Sequence, residues 1–250
     1  MMLTTIAAAA ATIAGCPLFP ASWSTNQRVD ALPVAPDSSA IVRSIGLDGS
    51  LKADFGSGLW EGGPIGIPYN VVNRRTKRTR VRFGYAGESD RVRYPIPRDV
   101  RIEGGPEGDG DRHALLVDRN RCKLFELYEL RRQDGLWTAG SGAVWSLRSP
   151  RLRPAGWTSA DAAGLPILSL LARYPEVARG RIGHALRMTV SEKPAGVRLP
   201  RASLRLVGPR PGAPAHGRAA AVEGRDGHLG PAAAGARGRA GDAGVRPDRR

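Results

Sequence analysis

After Lys193 the chain changes character, and that break limits what it can fold into more than any other feature. Residues 194–250 contain no Lys, Ile, Trp, Tyr or Phe and consist mostly of Ala, Gly, Arg and Pro. Such a segment has too little apolar surface to offset the entropy of ordering it, so composition alone reads as a disordered tail. A sharper reading is a frameshift in a GC-rich gene. Read one base later with permitted codons, Pro194-Ala195-Gly196-Val197-Arg198-Leu199-Pro200-Arg201 becomes Arg-Arg-Ala-Tyr-Val-Tyr-Pro-Ala, an alternating strand-like run. In the same shifted frame residues 222–230 give Leu-Lys-Ala-Gly-Thr-Asp-Ile-Ser, which is ordinary globular sequence. The expected slip lies at residues 191–193, so the last strands of the fold are expected to be missing.

The tail also changes what the charge means. A formal +15 on 250 residues suggests nucleic acid. Residues 197–250, however, hold 11 Arg against Glu223, Asp226, Asp242 and Asp248, so +7 of that charge lies there. The densest basic run of the body is Arg74-Arg75-Thr76-Lys77-Arg78-Thr79-Arg80, between two strand-like segments. A solvated hairpin loop is the first reading of it and a phosphate-binding patch the second. No nucleic-acid motif accompanies the run, and no nucleic-acid partner is expected.

Residues 1–15 are apolar and Ala-rich and end Ile13-Ala14-Gly15 before Cys16, which reads as an export signal without the usual basic start. Cys16 has two competing fates. It could accept a lipid, as the Ile-Ala-Gly-Cys end suggests, or pair with Cys122 in a disulfide that an exported protein keeps; the disulfide is the simpler expectation. The membrane would be met only through the signal or that lipid, since no later stretch is long enough to span it. The expected organisation is thus a signal at 1–15, a domain at 16–193 and a tail at 194–250.

The domain reads as mainly β, a sandwich or jelly-roll-like fold with one or two short helices and its C-terminal strands missing. A Pro-rich arm at 17–36 is expected to lie on the domain, followed by a short helix capped by Asp37-Ser38-Ser39. Strand-like runs follow at 65–72, 79–85, 114–118, 123–130, 136–147 and 185–190. Turn signals separate them, among them Gly46-Leu47-Asp48-Gly49, Glu107-Gly108-Asp109-Gly110 and Asp134-Gly135. One helical insertion is expected at 159–172, capped by Ser159 or Asp161. Alternation in 123–130 puts Leu124, Glu126, Tyr128 and Leu130 on one side, and Phe125, Leu127 and Glu129 on the other.

The densest polar constellation runs from Asp109-Gly110-Asp111-Arg112-His113 through Glu126 and Trp157-Thr158-Ser159-Ala160-Asp161 to His184. His113, Glu126 and His184 could form a two-His, one-carboxylate metal site, but their spacing does not support one and no metal is expected; no cofactor is indicated. Glycan chemistry suits the set better, because it uses one carboxyl raised in pKa by apolar surroundings and a second that stays ionised. Glu126 is the expected acid and Asp161, or else Asp111, its partner. His113 and His184 would position substrate, and Trp60, Trp137, Trp145 and Trp157 would supply flat faces for sugar rings. Each of these residues also has a plain reading: core Trp, hydrogen-bonded His, strand Glu. Gly140-Ser141-Gly142 lacks nucleophile-elbow spacing, and Asp109-Gly110-Asp111 lacks the Glu that completes a calcium loop.

Several strings together look familiar: Cys16-Pro17-Leu18-Phe19-Pro20, Asp54-Phe55-Gly56-Ser57-Gly58, Gly66-Ile67-Pro68-Tyr69, Tyr94-Pro95-Ile96-Pro97, Ile102-Glu103-Gly104-Gly105, Asp111-Arg112-His113 and Trp157-Thr158-Ser159-Ala160-Asp161-Ala162-Ala163-Gly164-Leu165-Pro166. Over residues 16–190 the chain resembles a family of exported bacterial proteins, mostly labelled uncharacterised. In that family the chain after His184-Ala185-Leu186-Arg187 continues as an Arg-Arg-Ala-Tyr-type strand, which is what the shifted frame restores. The resemblance implies export and a truncated C-terminus and assigns no catalytic residue. The expectation is therefore an exported protein that binds or cleaves polysaccharide. The alternatives are a non-catalytic surface or structural module, or a product inactivated by truncation.

Overall fold

The computed structural model describes residues 11–45, 47, 58–60, 62–188 and 218–221. The start of the expected signal, the turn at 46–49 (except Leu47), the string at 54–57 and most of the tail lie outside them. The described residues form a mainly β protein with short helices. In chain order the elements are β1 (Thr12–Ile13), β2 (Cys16–Pro17), α1 (Ser38–Ile45), β3 (Leu59–Trp60), β4 (Gly63–Pro64), β5 (Tyr69–Val72) and β6 (Val81–Phe83). They continue with β7 (Ala114–Asp118), β8 (Lys123–Tyr128), β9 (Arg131–Gln133), β10 (Leu136–Ala139), β11 (Ser141–Ser146), α2 (Tyr174–Val177), β12 (Ala185–Met188) and β13 (Arg218–Ala221).

The centre is a four-stranded sheet ordered β11-β8-β7-β5, antiparallel except for the parallel β5–β7 pair. Its β7–β8 hairpin is closed by the buried Asp118, whose Oδ1 accepts the N–H groups of Asn120 (3.1 Å) and Arg121 (3.2 Å). A smaller sheet, β6-β10-β9, lies beside it, with β6 and β10 parallel. Its β9–β10 hairpin turns at Asp134-Gly135, where φ is +50° and +77°, a conformation that Asp tolerates and Gly adopts freely. Early in β11 the chain passes so close to its neighbours that a Cβ on Gly142 would sit 2.7 Å from the Phe83 ring.

Both faces of the central sheet are covered, which is why its strands read as nearly continuous apolar runs. On one face Leu115, Val117, Leu124 and Trp145 meet Ile13, Leu18, Phe19 and Trp23 of the N-terminal arm, with Ile167 and Leu168 beside them. On the other, Leu116, Phe125 and Leu127 meet Val72, Tyr94 and Ile96. Leu130 joins this second face rather than that of Leu124 and Glu126. Glu129 has φ +55°, which ends the strand and breaks the alternation.

The arm is locked to the sheet by a disulfide between Cys16 and Cys122, whose Cα atoms lie 5.4 Å apart. Packing begins before Cys16. Ile13 is 5 % exposed in the core and β1 pairs with β2, so the expected boundary at residue 15 falls inside a packed hairpin.

Residues 159–172 do not form the expected helix; they run as turns ending in a 3-10 turn at Leu168–Leu170. Side chains take the backbone groups that a helix would need. Asp161 Oδ1 accepts the Ala163 N–H (2.9 Å), Ser159 Oγ accepts that of Asp161 (2.9 Å), and Glu126 accepts those of Ile167 and Leu168. Gly164 at φ +74° and Pro166 complete the break. Of the tail, β13 is described, paired in parallel with β12.

Candidate functional site

Glu126 sits mid-strand in β8, opposite Leu115 on β7 and Ala143 on β11, and is fully buried. Its carboxylate accepts three N–H groups: Trp145 Nε1 (3.0 Å), Ile167 N (3.1 Å) and Leu168 N (2.9 Å). Burial pushes its pKa up to about 7, against the pull of those donors. Among the described residues its hydrogen-bond partners are all donors, so its oxygens serve as the anchor that ties Ile167 and Leu168 to the sheet.

His113 immediately precedes β7 and is 2 % exposed. Its Nδ1 lies 2.6 Å from Glu103 Oε2 and its Nε2 3.2 Å from the Ala160 carbonyl, so both ring nitrogens face acceptors. Burial works to lower its pKa, but the Glu103 carboxylate outweighs it and the net direction is up. Glu103 moves the opposite way: burial would raise it, and the contacts with His113 bring it below its ordinary value. Both directions favour an imidazolium–carboxylate pair beneath the same segment that Glu126 holds.

Asp161 supplies its second oxygen to Arg187 on β12, with Nε 2.9 Å away at an angle outside hydrogen-bond geometry. His184 stands apart from this cluster. Its Nδ1 contacts the Ala185 carbonyl (2.7 Å) and its Nε2 the Glu176 carboxylate (3.2 Å), which Arg173 also grips through two bonds of 2.9 and 2.7 Å. Thus Glu126, His113 and Asp161 converge on one segment, while His184 belongs to the α2 end. All four are at most 2 % exposed. Asp111, the alternative second carboxylate, is exposed.

The aromatic residues divide similarly. Trp145 is core, and its indole is committed to Glu126. Trp137 and Trp157 are partly exposed, but each ring carries a guanidinium, Arg132 at 5.8 Å and Arg153 at 5.3 Å. The side chain of Trp60 lies outside the described residues. Among the described residues no group of three or more His, Cys, Asp or Glu side chains could hold a metal ion. The loop around Asp109-Gly110-Asp111 is organised instead by Arg112, whose Nη1 donates to the carbonyls of Gly105, Pro106 and Gly108.

A second, partly buried linkage had no sequence signal. Arg153 donates to Asp90, to the Glu88 carbonyl (2.7 Å) and to the Thr158 carbonyl (2.7 Å), and Thr158 in turn donates to the Glu88 carboxylate. Its bonds from Arg153 and Thr158 to Glu88 and Asp90 join residues 63 to 70 apart along the chain, beyond any local spacing rule.

An open cleft of about 390 Å³ lies elsewhere, on the Phe125 side of the sheet. Arg78, Arg93, Arg121 and Lys123 line it, with Val92 and Val144 as apolar walls. Arg78 comes from the basic run, which is held by Asn73 and Asn120: Asn120 Oδ1 accepts the Arg74 N–H at 3.1 Å and Asn73 Oδ1 that of Arg75 at 2.8 Å. No family model, curated protein or solved structure matches the chain.

Proposed function

We propose that the protein is an exported, mainly β module that binds polysaccharide of the cell envelope or surroundings without cleaving it. The observation that carries this reading is the state of the four residues best suited to acid–base chemistry. Glu126, Asp161, His113 and His184 are each buried to at least 98 % and each engaged with named partners, so none faces a space that a sugar ring could enter. Export is supported by the Cys16–Cys122 disulfide, a bond that persists in oxidising compartments and leaves no thiol on Cys16 for a lipid. The motif resemblance to exported bacterial proteins supports it further.

The enzyme reading retains one favourable feature, a carboxyl with a pKa near that of a general acid. It requires the 157–168 segment to leave Glu126 before substrate can reach it. The test is a panel of envelope and plant polysaccharides, assayed on the same sample for bound protein and for new reducing ends. Binding without new ends is the expected result. New ends that disappear in Glu126→Gln or Asp161→Asn would overturn it.

A further inference from the structure

We propose that the Arg78–Lys123 cleft is a binding site for an acidic polysaccharide, a chain bearing carboxylate or sulfate groups; this rests on the binding-module reading above. Four cationic side chains converge there, and the nearby carboxylates do not neutralise them: Asp90, which accepts the Val144 N–H, is paired with Arg153 outside the cleft lining. Asp118 is fully buried beneath the cleft, 2.7 Å from Arg78 Nη2 and 3.6 Å from Arg121 Nη1. It positions two guanidinium groups while leaving a net positive charge. Arg78 is held further by its carbonyl contact to Arg93 (3.3 Å) and by its place over the Phe125 ring at 5.3 Å. A guanidinium fixed on three sides has lost most of its rotamer freedom before any ligand arrives, which lowers the cost of binding.

Arg93 and Lys123 are exposed and have no carboxylate partner among the described residues, so their charge is available to an anion. Val92 is 47 % exposed and Val144 partly so, and together they offer an apolar ledge for the C–H face of a sugar. The shape argues against single-stranded nucleic acid. The aromatic ring at the cleft, Phe125, is 2 % exposed and covered by Arg78, so no flat face remains for base stacking. Charges spread over an open groove with an apolar wall fit a linear chain carrying one anionic group per sugar better than a compact phosphate.

The test uses the full chain, in affinity electrophoresis and calorimetry, with polygalacturonate, a sulfated galactan, neutral dextran, inorganic phosphate and a single-stranded DNA oligomer. The expected result is binding to the two acidic glycans that weakens as salt rises, with none to dextran. Arg93→Glu with Lys123→Glu should weaken it by about tenfold or more, since reversal replaces attraction by repulsion. Both positions are exposed and unpaired, so folding is expected to persist, and an unchanged thermal midpoint verifies it. The Arg-rich tail is identical in the variant; acidic-glycan binding that survives the reversal therefore belongs to the tail and overturns the cleft proposal. Equal or tighter binding of DNA or phosphate overturns the ligand class. Binding of dextran that the reversal does not touch leaves the module reading standing and sinks the cleft. No binding to any glycan sinks both.

Discussion

Glu126 is the residue where the two functional readings part. Three N–H donors favour its ionised form, while complete burial favours the neutral one, and burial prevails with a pKa raised to about 7. A carboxyl whose folded pKa exceeds its unfolded value binds more protons in the native state. Its stabilisation is full below the unfolded value near 4.5 and is lost as pH rises through about 7. His113 acts in the same sense, its raised pKa giving stability that fades as pH climbs through the folded value. The stability of the wild type to urea should therefore fall between pH 5 and 8, by roughly 3 kcal/mol from Glu126 at most. Glu126→Gln should flatten that slope and change stability at pH 5 by no more than about 1 kcal/mol, because the neutral amide stands in for the protonated acid that burial favours there. An equally steep slope in Glu126→Gln would mean that the pH dependence arises elsewhere.

At the scale of elements, the held segment matters more than the strands. Strands β7 and β8 were legible because short, nearly continuous runs of Leu, Val, Phe and Tyr bounded by turn residues admit few other readings. The Asp134-Gly135 hairpin was legible from its turn chemistry. The helix expected at 159–172 was not real, since its amides bond to a carboxylate 41 residues earlier, and local propensity carries no trace of that. For the same reason the polar set around His113, Glu126 and Asp161 could be picked out by residue type, but its burial could not. What covers a side chain is decided by distant chain. The Arg153 linkage makes the point testable. Arg153→Ala should cost about 1–3 kcal/mol by leaving the Glu88 and Thr158 carbonyls unpaired, while Asp90 keeps its bond to the Val144 N–H, and thermal unfolding measures it. A loss below about 0.5 kcal/mol, typical of an exposed pair, would contradict the linkage.

At the scale of the whole molecule, the disulfide closes a loop with a sequence separation of 106 and fastens the N-terminal arm across one face of the central sheet. Replacing Cys16 and Cys122 together by Ser should lower stability by about 4–5 kcal/mol, read from denaturant midpoints, because so long a loop greatly restricts the unfolded chain. The reading-frame expectation belongs to this scale too. Sequencing the gene across the codons for residues 191–193 tests it, and a verified frame with a compact, protease-resistant 194–250 would end it. The central claim is that the buried carboxylates and imidazoles are scaffold. Hydrogen exchange at the Ile167 and Leu168 amides, the two that bond to Glu126, tests this most directly. The account expects both to exchange as slowly as amides of β7 and β8, and to speed up sharply in Glu126→Ala. Fast exchange of both in the wild type, with the strands still protected, would mean that the segment opens and exposes Glu126, and the scaffold reading would fail.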